Sequence, residues 1–249
     1  MGAVRRAERG FLWGSMVYLW FVFLLWVFEV AHKEQKQFIL EIKNKFPDFF
    51  NNSKVLEVGS LDINGSIRDF FTGCEYVGID VAEGPGVDRV CQGQEYDAPD
   101  GYFDAVFSCE VMEHNPYWIE TMQNMIRMCR PGGLVVMTCA TLGRGEHGTT
   151  RTCAADSPLT VGIGWEYYKN LTFKDFLKSG ALHGMDLVGH ACDWISYDLY
   201  IFGFKKNGIL SEDFKQRVRL IEQLYVDKNK SSFKSIRRAV KANFLQKRC

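Results

Sequence analysis

Between residues 54 and 140 one pattern repeats. A short, almost wholly apolar run is followed by a helical or turn-forming stretch. The runs are VLEV (55–58), YVGIDV (76–81), the weaker VDRVCQ (87–92), FDAVFSCEVM (103–112) and LVVMTCA (134–140). Runs of this length without strict polar alternation are buried on both faces. Separated by helices, they read as parallel strands of an α/β, doubly wound sheet with helices on both faces. EQKQFILEIKNKF (34–46) places Phe38, Ile39, Ile42 and Phe46 at helical spacing, and SIRDFF (66–71) reads as a short helix. PYWIETMQNMIRMC (116–129) reads as a helix with Pro116 near its first turn. TFKDFLKSG (172–180) is a helix stopped by Gly180, and residues 185–206 give two further strands with a turn near Ser196. Residues 141–165 read as a long, polar, Gly-rich loop. SEDFKQRVRLIEQLYV (211–226) reads as an amphipathic helix started by Ser211.

A chain of 249 residues can bury one good core with some decoration. Its formal charge is zero, but the layout is uneven. Residues 51–204 carry ten Lys and Arg against twenty-one Asp and Glu, while residues 205–249 carry thirteen against four. The acidic domain argues against nucleic acid as a partner. The basic tail suits an acidic surface or a solvated helix face. The eight cysteines show no paired spacing, which points to a reducing compartment.

FLWGSMVYLWFVFLLWVFEV, Phe11 to Val30, is twenty residues long with one charge, Glu29. That length spans about 30 Å of hydrocarbon as a helix. The expected organisation is therefore an N-terminal hydrophobic segment (1–33) able to anchor to a membrane, a central α/β domain (34–206) and a basic helical tail (207–249). The expected location is at a membrane through residues 11–30 with a cytosolic domain, or cytoplasmic if the segment is not a span. Asn64-Gly65-Ser66 is formally a glycosylation acceptor, and a sugar there would block the site described next.

KVLEVGSLDINGS (54–66) ends a strand on Gly59 and carries a second glycine, Gly65. In a doubly wound sheet the crevice beyond the carboxyl end of the first strand is the ligand site. A helix beginning near Ser66 would offer free N–H groups to an anion. Asp80 ends the second strand about twenty residues beyond Gly59, where a carboxylate accepts hydrogen bonds from ribose hydroxyls. The ligand thus contains a nucleoside. A dinucleotide fingerprint needs a second glycine where Leu61 stands, and a pyrophosphate would be repelled by Glu57 and Asp62. A cationic adenosyl ligand, S-adenosylmethionine, tolerates those acids.

Four blocks then carry a family resemblance. VLEVGSLDINGS, YVGIDV, YDAPDGYFDAVFSCEVMEH and RMCRPGGLVVMT follow one another in the order seen in class I S-adenosylmethionine-dependent methyltransferases, and resemble the methyltransferase type 11 group. The resemblance implies a seven-stranded, Rossmann-like sheet with an antiparallel last strand. It also implies that the cofactor-binding set is Glu57, Gly59, Ser60, Gly65, Asp80, Gln92, Gly93, Ser108 and Cys109. The loop departs from the family pattern in lacking the middle glycine, and Gln92-Gly93 stand where an Asp-Ala-like pair holds adenine.

Methyl transfer needs a nucleophile held in line with the departing sulfur, and a base only where the acceptor keeps its proton. Glu110, Glu146 and His147 are the catalytic candidates. Arg144, Arg151 and His114 are the acceptor-binding candidates, since two arginines suit a carboxylate or phosphate. His114 also has a structural reading at a helix start, as do His183 and His190. Trp165 to Tyr168 read as core packing ahead of a pocket wall. No metal is expected, because His114 and His147 are not at ligand spacing. The acceptor expected is a small molecule or a glycan sugar. The alternatives are an NAD-dependent dehydrogenase or epimerase, and a non-catalytic, membrane-anchored adenosyl-binding protein.

Overall fold

The computed structural model describes residues 33–63 and 65–246, with side chains through 233. The apolar run 11–30 lies outside these residues; among the described ones, no helix is long and apolar enough to cross a membrane. Seven strands form one sheet: β1 (Lys54–Val58), β2 (Glu75–Asp80), β3 (Arg89–Val90), β4 (Phe103–Cys109), β5 (Cys129–Ala140), β6 (Met185–Asp193) and β7 (Asp198–Lys205). Their order is β3-β2-β1-β4-β5-β7-β6. The pairs among β1 to β5 are parallel, and β7 runs antiparallel to both of its neighbours. This is the seven-stranded mixed sheet that the resemblance implied.

Two apolar layers result from the period-two alternation of buried strands. On β4, Ala105 and Phe107 face one side while Val106 faces the other; on β5, Leu134 and Val136 oppose Val135, Met137 and Cys139. One layer is covered by α2 (Trp118–Met128) and α4 (Phe173–Ser179), which contribute Trp118, Met122, Met125 and Phe176. The other is covered by α1 (33–45) through Phe38, Ile39 and Ile42, and by α5 (Glu212–Gln246) through Val218, Ile221 and Tyr225. Phe38 stacks on Tyr200 at 4.2 Å between centroids, with Tyr225 edge-on to both. The start of the basic tail is thus packed on the sheet beside β6, while its exposed face carries the charge.

Local signals explain the helix ends. Thr172 and Asp175 form a reciprocal capping box for α4, and Gly180 closes it at φ 75°. The segment after β1 differs from expectation. In place of a helix, Arg68–Phe70 make a single 3₁₀ turn. Asp62 Oδ1 accepts from the Gly65 N–H, and Ser66 Oγ accepts from the Arg68 N–H. Short polar side chains satisfy the loop's own amides and compete with helix formation.

Candidate active site at the carboxyl ends of the strands

The strand order reverses between β1 and β4, and a cleft opens there beyond their carboxyl ends. It encloses about 1030 Å³, its open mouth included. At the tip of β1, Glu57 is buried and accepts a 2.7 Å hydrogen bond from the Tyr76 hydroxyl. Burial raises its pKa to about 7. Gly59 follows at φ 81°, and a Cβ there would collide with the Val111 side chain. Only glycine meets both demands. Ser60 is buried with its hydroxyl unpartnered.

Asp80, at the tip of β2, forms the neighbouring wall. Its Oδ2 accepts from the Leu61 N–H at 3.0 Å and its Oδ1 from the Val81 N–H at 2.7 Å. Burial raises its pKa despite these bonds. Each oxygen keeps a second lone pair for a ligand. Among the described residues neither Glu57 nor Asp80 has an ion-pair partner; Arg68, the nearby cation, is paired with Asp88.

Gly65, Gly93, Cys109, Glu110 and His114 also line the cleft. Gln92 does not, although Cys91 and Gly93 beside it do. Its Oε1 accepts from Gln94 Nε2 at 2.6 Å. Ser108 is wholly buried within β4, and burial holds the Cys109 thiol far above its ordinary pKa.

The β4 end turns sharply through Glu110, a non-glycine residue at φ 56°. Such left-handed backbone is costly and concentrates at functional sites. The Thr138 hydroxyl donates to Glu110 Oε1 at 2.8 Å, while Oε2 is buried without a partner. Glu113 accepts from the Ala140 N–H at 2.9 Å; burial, reinforced by Glu110, raises its pKa well above the ordinary range. His114 is pressed down to about 3, first by burial and then by His147 and Arg144.

His147 comes from the loop after β5 and meets the His114 ring edge-on at 4.9 Å. Its Nδ1 lies 3.0 Å from the Gly145 carbonyl, which only accepts, so Nδ1 carries the hydrogen. Glu113, His114 and His147 thus place ligand-type atoms within 4.8 Å of one another. The expectation against a metal rested on sequence spacing, and the fold closes that gap by returning the 141–171 excursion over the end of β4.

The remaining acceptor candidates are engaged elsewhere. Arg144 donates to the Ser196 carbonyl at 2.6 Å and pairs with buried Asp198 at 3.3 Å. Arg151 pairs with Glu146 at 2.6 Å and with Glu166 at 3.5 Å. Hydrogen bonds from Thr149 and Arg151 hold the Glu146 carboxylate below its ordinary pKa, on the outside of the loop.

Several wall residues were not singled out by sequence. Gln35 reaches the cleft from α1, and Asp156, Ser157, Leu159 and Thr160 reach it from residues expected to be featureless loop. There a 3₁₀ turn (Ala154–Asp156) leads into a short helix, α3 (Pro158–Gly162). Pro158 after Ser157 was the available signal. Trp165, expected in the core, lines the cleft instead, its ring edge-on to Tyr117 at 5.6 Å. The excursion is pinned at its neck: Leu171 N–H donates to Ala140 O, and the Thr141 hydroxyl to Leu171 O.

Residues 30–147, nearly half of the chain, match the family model described as a methyltransferase domain. A phosphoethanolamine N-methyltransferase 2 from Haemonchus contortus, in complex with S-adenosyl-L-methionine, is 15% identical. The match covers 69% of this chain and 52% of that one, with a TM-score of 0.50. The chain therefore spans about half the length of that protein. A 1,6-didemethyltoxoflavin-N1-methyltransferase from Burkholderia thailandensis is 13% identical over 82% of this chain and 94% of that one, with a TM-score of 0.49. No curated protein matches the sequence. Residues 30–147 thus resemble a methyltransferase domain, set on the seven-stranded mixed sheet described above.

Proposed function

We propose that this methyltransferase holds its cofactor across the tips of β1 and β2 and passes the methyl group to a small molecule or sugar at the β4–β5 end of the cleft. One observation carries the reading: Glu57, buried, and Asp80, half-buried, both line the cleft, and neither has a cationic partner among the described residues. Such a pair suits a ligand that brings its own positive charge. A pyrophosphate would find two acids and no helix N-terminus after β1, where the chain forms a single 3₁₀ turn. The dehydrogenase alternative therefore lacks both of its anchors.

In this reading Asp80 accepts from ribose hydroxyls and Glu57 faces the cationic amino-acid end. Gly59 lets the chain pass close to the ligand. S-adenosylmethionine supplies a methyl group already activated on a sulfonium. The protein supplies position and dryness. Trp165 and Leu159 enclose the outer side, and Glu110 and His114 provide polar atoms deeper in. His114, held neutral by burial, is available there as a hydrogen-bond partner. The acidic domain favours a small acceptor over a polyanion.

Calorimetry with S-adenosylmethionine, S-adenosylhomocysteine and NAD tests the cofactor assignment. The first two should bind and NAD should not; the reverse order would overturn it. Product formation on a panel of small alcohols, amines and sugars then separates a transferase from a binder.

A further inference from the structure

We propose that Glu113, His114 and His147 form a binding site for one first-row transition dication beside the cleft, which His114 lines. Their ligand-type atoms lie within 4.8 Å of one another, the one such group found among the described residues. Ligands held about 2.1 Å from a common ion sit about 3.0–3.5 Å apart. A small inward movement of the loop bearing His147 completes the set.

The site is built as metal sites are, with ligands oriented from behind. His147 donates its Nδ1 hydrogen to the Gly145 carbonyl, which leaves Nε2 with a free lone pair. Glu113 fixes one carboxylate oxygen on the Ala140 N–H, and its other oxygen has no partner. His114 Nδ1 is likewise buried and unpartnered. Glu113 and His114 are 0% and 3% exposed, so water does not satisfy these atoms cheaply. Tyr168 packs its ring 5.0 Å from His147 and 5.5 Å from His114, fixing both imidazoles.

Charge points the same way. Glu110, Glu113 and Asp198 converge on this region, and Arg144, already paired with Asp198, is the one cation among them. A dication would answer the two acids that Arg144 leaves without a cation. Glu110, whose Oε2 is buried and unpartnered, stands next to the set and lines the cleft with His114. Two imidazoles with a carboxylate select manganese-to-zinc type ions over magnesium or calcium. Resting on the acceptor position proposed above, the ion's role is to bind and polarise an acceptor oxygen.

The test uses the full chain stripped by chelator, then titrated with Mn²⁺ and Zn²⁺ by calorimetry, with Mn²⁺ also followed by electron paramagnetic resonance. One ion per chain is expected. Affinity should fall at least tenfold in His147→Ala and in Glu113→Gln, and Mg²⁺ should bind at least tenfold more weakly than Mn²⁺. His147 lies on a loop, so its variant keeps the test valid if Glu113→Gln fails to fold. Absence of stoichiometric binding, or equal binding in His147→Ala, overturns the proposal. S-adenosylmethionine binding by the metal-free protein is read separately. Cofactor binding without metal binding sinks the ion site alone, and metal binding without cofactor binding sinks the cofactor reading alone.

Discussion

Arg144, on the loop after β5, reaches Asp198 at the first position of β7, its guanidinium 3.3 Å from a carboxylate with no exposed side-chain surface. Its other hydrogen bond goes to the Ser196 carbonyl. The loop and the β6–β7 turn are thereby clasped together. Arg144→Ala is expected to cost about 1–3 kcal/mol of stability by orphaning a buried acceptor. Asp198→Asn added to it should recover part of that loss in a double-mutant cycle of urea unfolding. Strict additivity would mean that the pair does not couple. A change confined to acceptor KM, with unaltered stability, would return Arg144 to the acceptor-binding role expected from sequence.

Asp80→Ala should weaken S-adenosylmethionine binding by about 1–3 kcal/mol, the range for a lost hydrogen bond to a charged group. Asp80 also accepts from the Leu61 and Val81 amides. Asp80→Asn, which keeps one oxygen, is the control for loop collapse. Unchanged affinity in Asp80→Ala by calorimetry would remove the ribose role.

Glu57 gives a pH signature. Unfolded, its carboxyl ionises near the ordinary 4.5; folded, burial holds the proton to about pH 7. Between those values the folded state binds more protons, so this group's contribution to stability falls as pH rises. The gap corresponds to about 3 kcal/mol in full, constant above about pH 7. Urea unfolding of the ligand-free protein at about pH 5 and about pH 7.5 measures it. Glu57→Gln should flatten the difference, and an identical pH dependence in the variant would show that the carboxyl titrates normally.

Gly59→Ala should lower both stability and cofactor affinity. The position combines φ 81° with a collision between the new Cβ and Val111. Left-handed backbone alone costs roughly 1–2 kcal/mol for an alanine. Val111→Ala in the same chain relieves the collision but not the backbone strain, so rescue should be partial. Full rescue in thermal melts would place the whole cost in the collision.

The sheet was legible because β1, β4, β5 and β7 each carry their own signal, a run of mostly buried residues. Gly59 and Asp80 were legible because the strand tips impose special backbone and special chemistry there. What escaped was set by contacts distant in sequence or by competition within a loop. Asp62 and Ser66 bond local amides, and no helix forms after β1. Gln92 is positioned by Gln94, so its neighbours on either side line the cleft and it does not. The approach of His147 to His114 spans thirty-three residues and needs the excursion to fold back, which no spacing rule contains. Arg144 read as an acceptor ligand because its partner, Asp198, is fifty-four residues further along the chain, on the strand that pairs with β5.

The neck of the 141–171 excursion holds whatever lies between. Two hydrogen bonds join Thr141 and Ala140 to Leu171, and Arg144 adds a clasp to the β6–β7 turn, so the excursion is tied to the sheet close to where it leaves and re-enters. Lengthening a closed loop is thermodynamically cheap, about 0.6 kcal/mol per doubling. The part of the excursion beyond Arg144 can therefore change in length at little thermodynamic cost while the strand tips stay as they are.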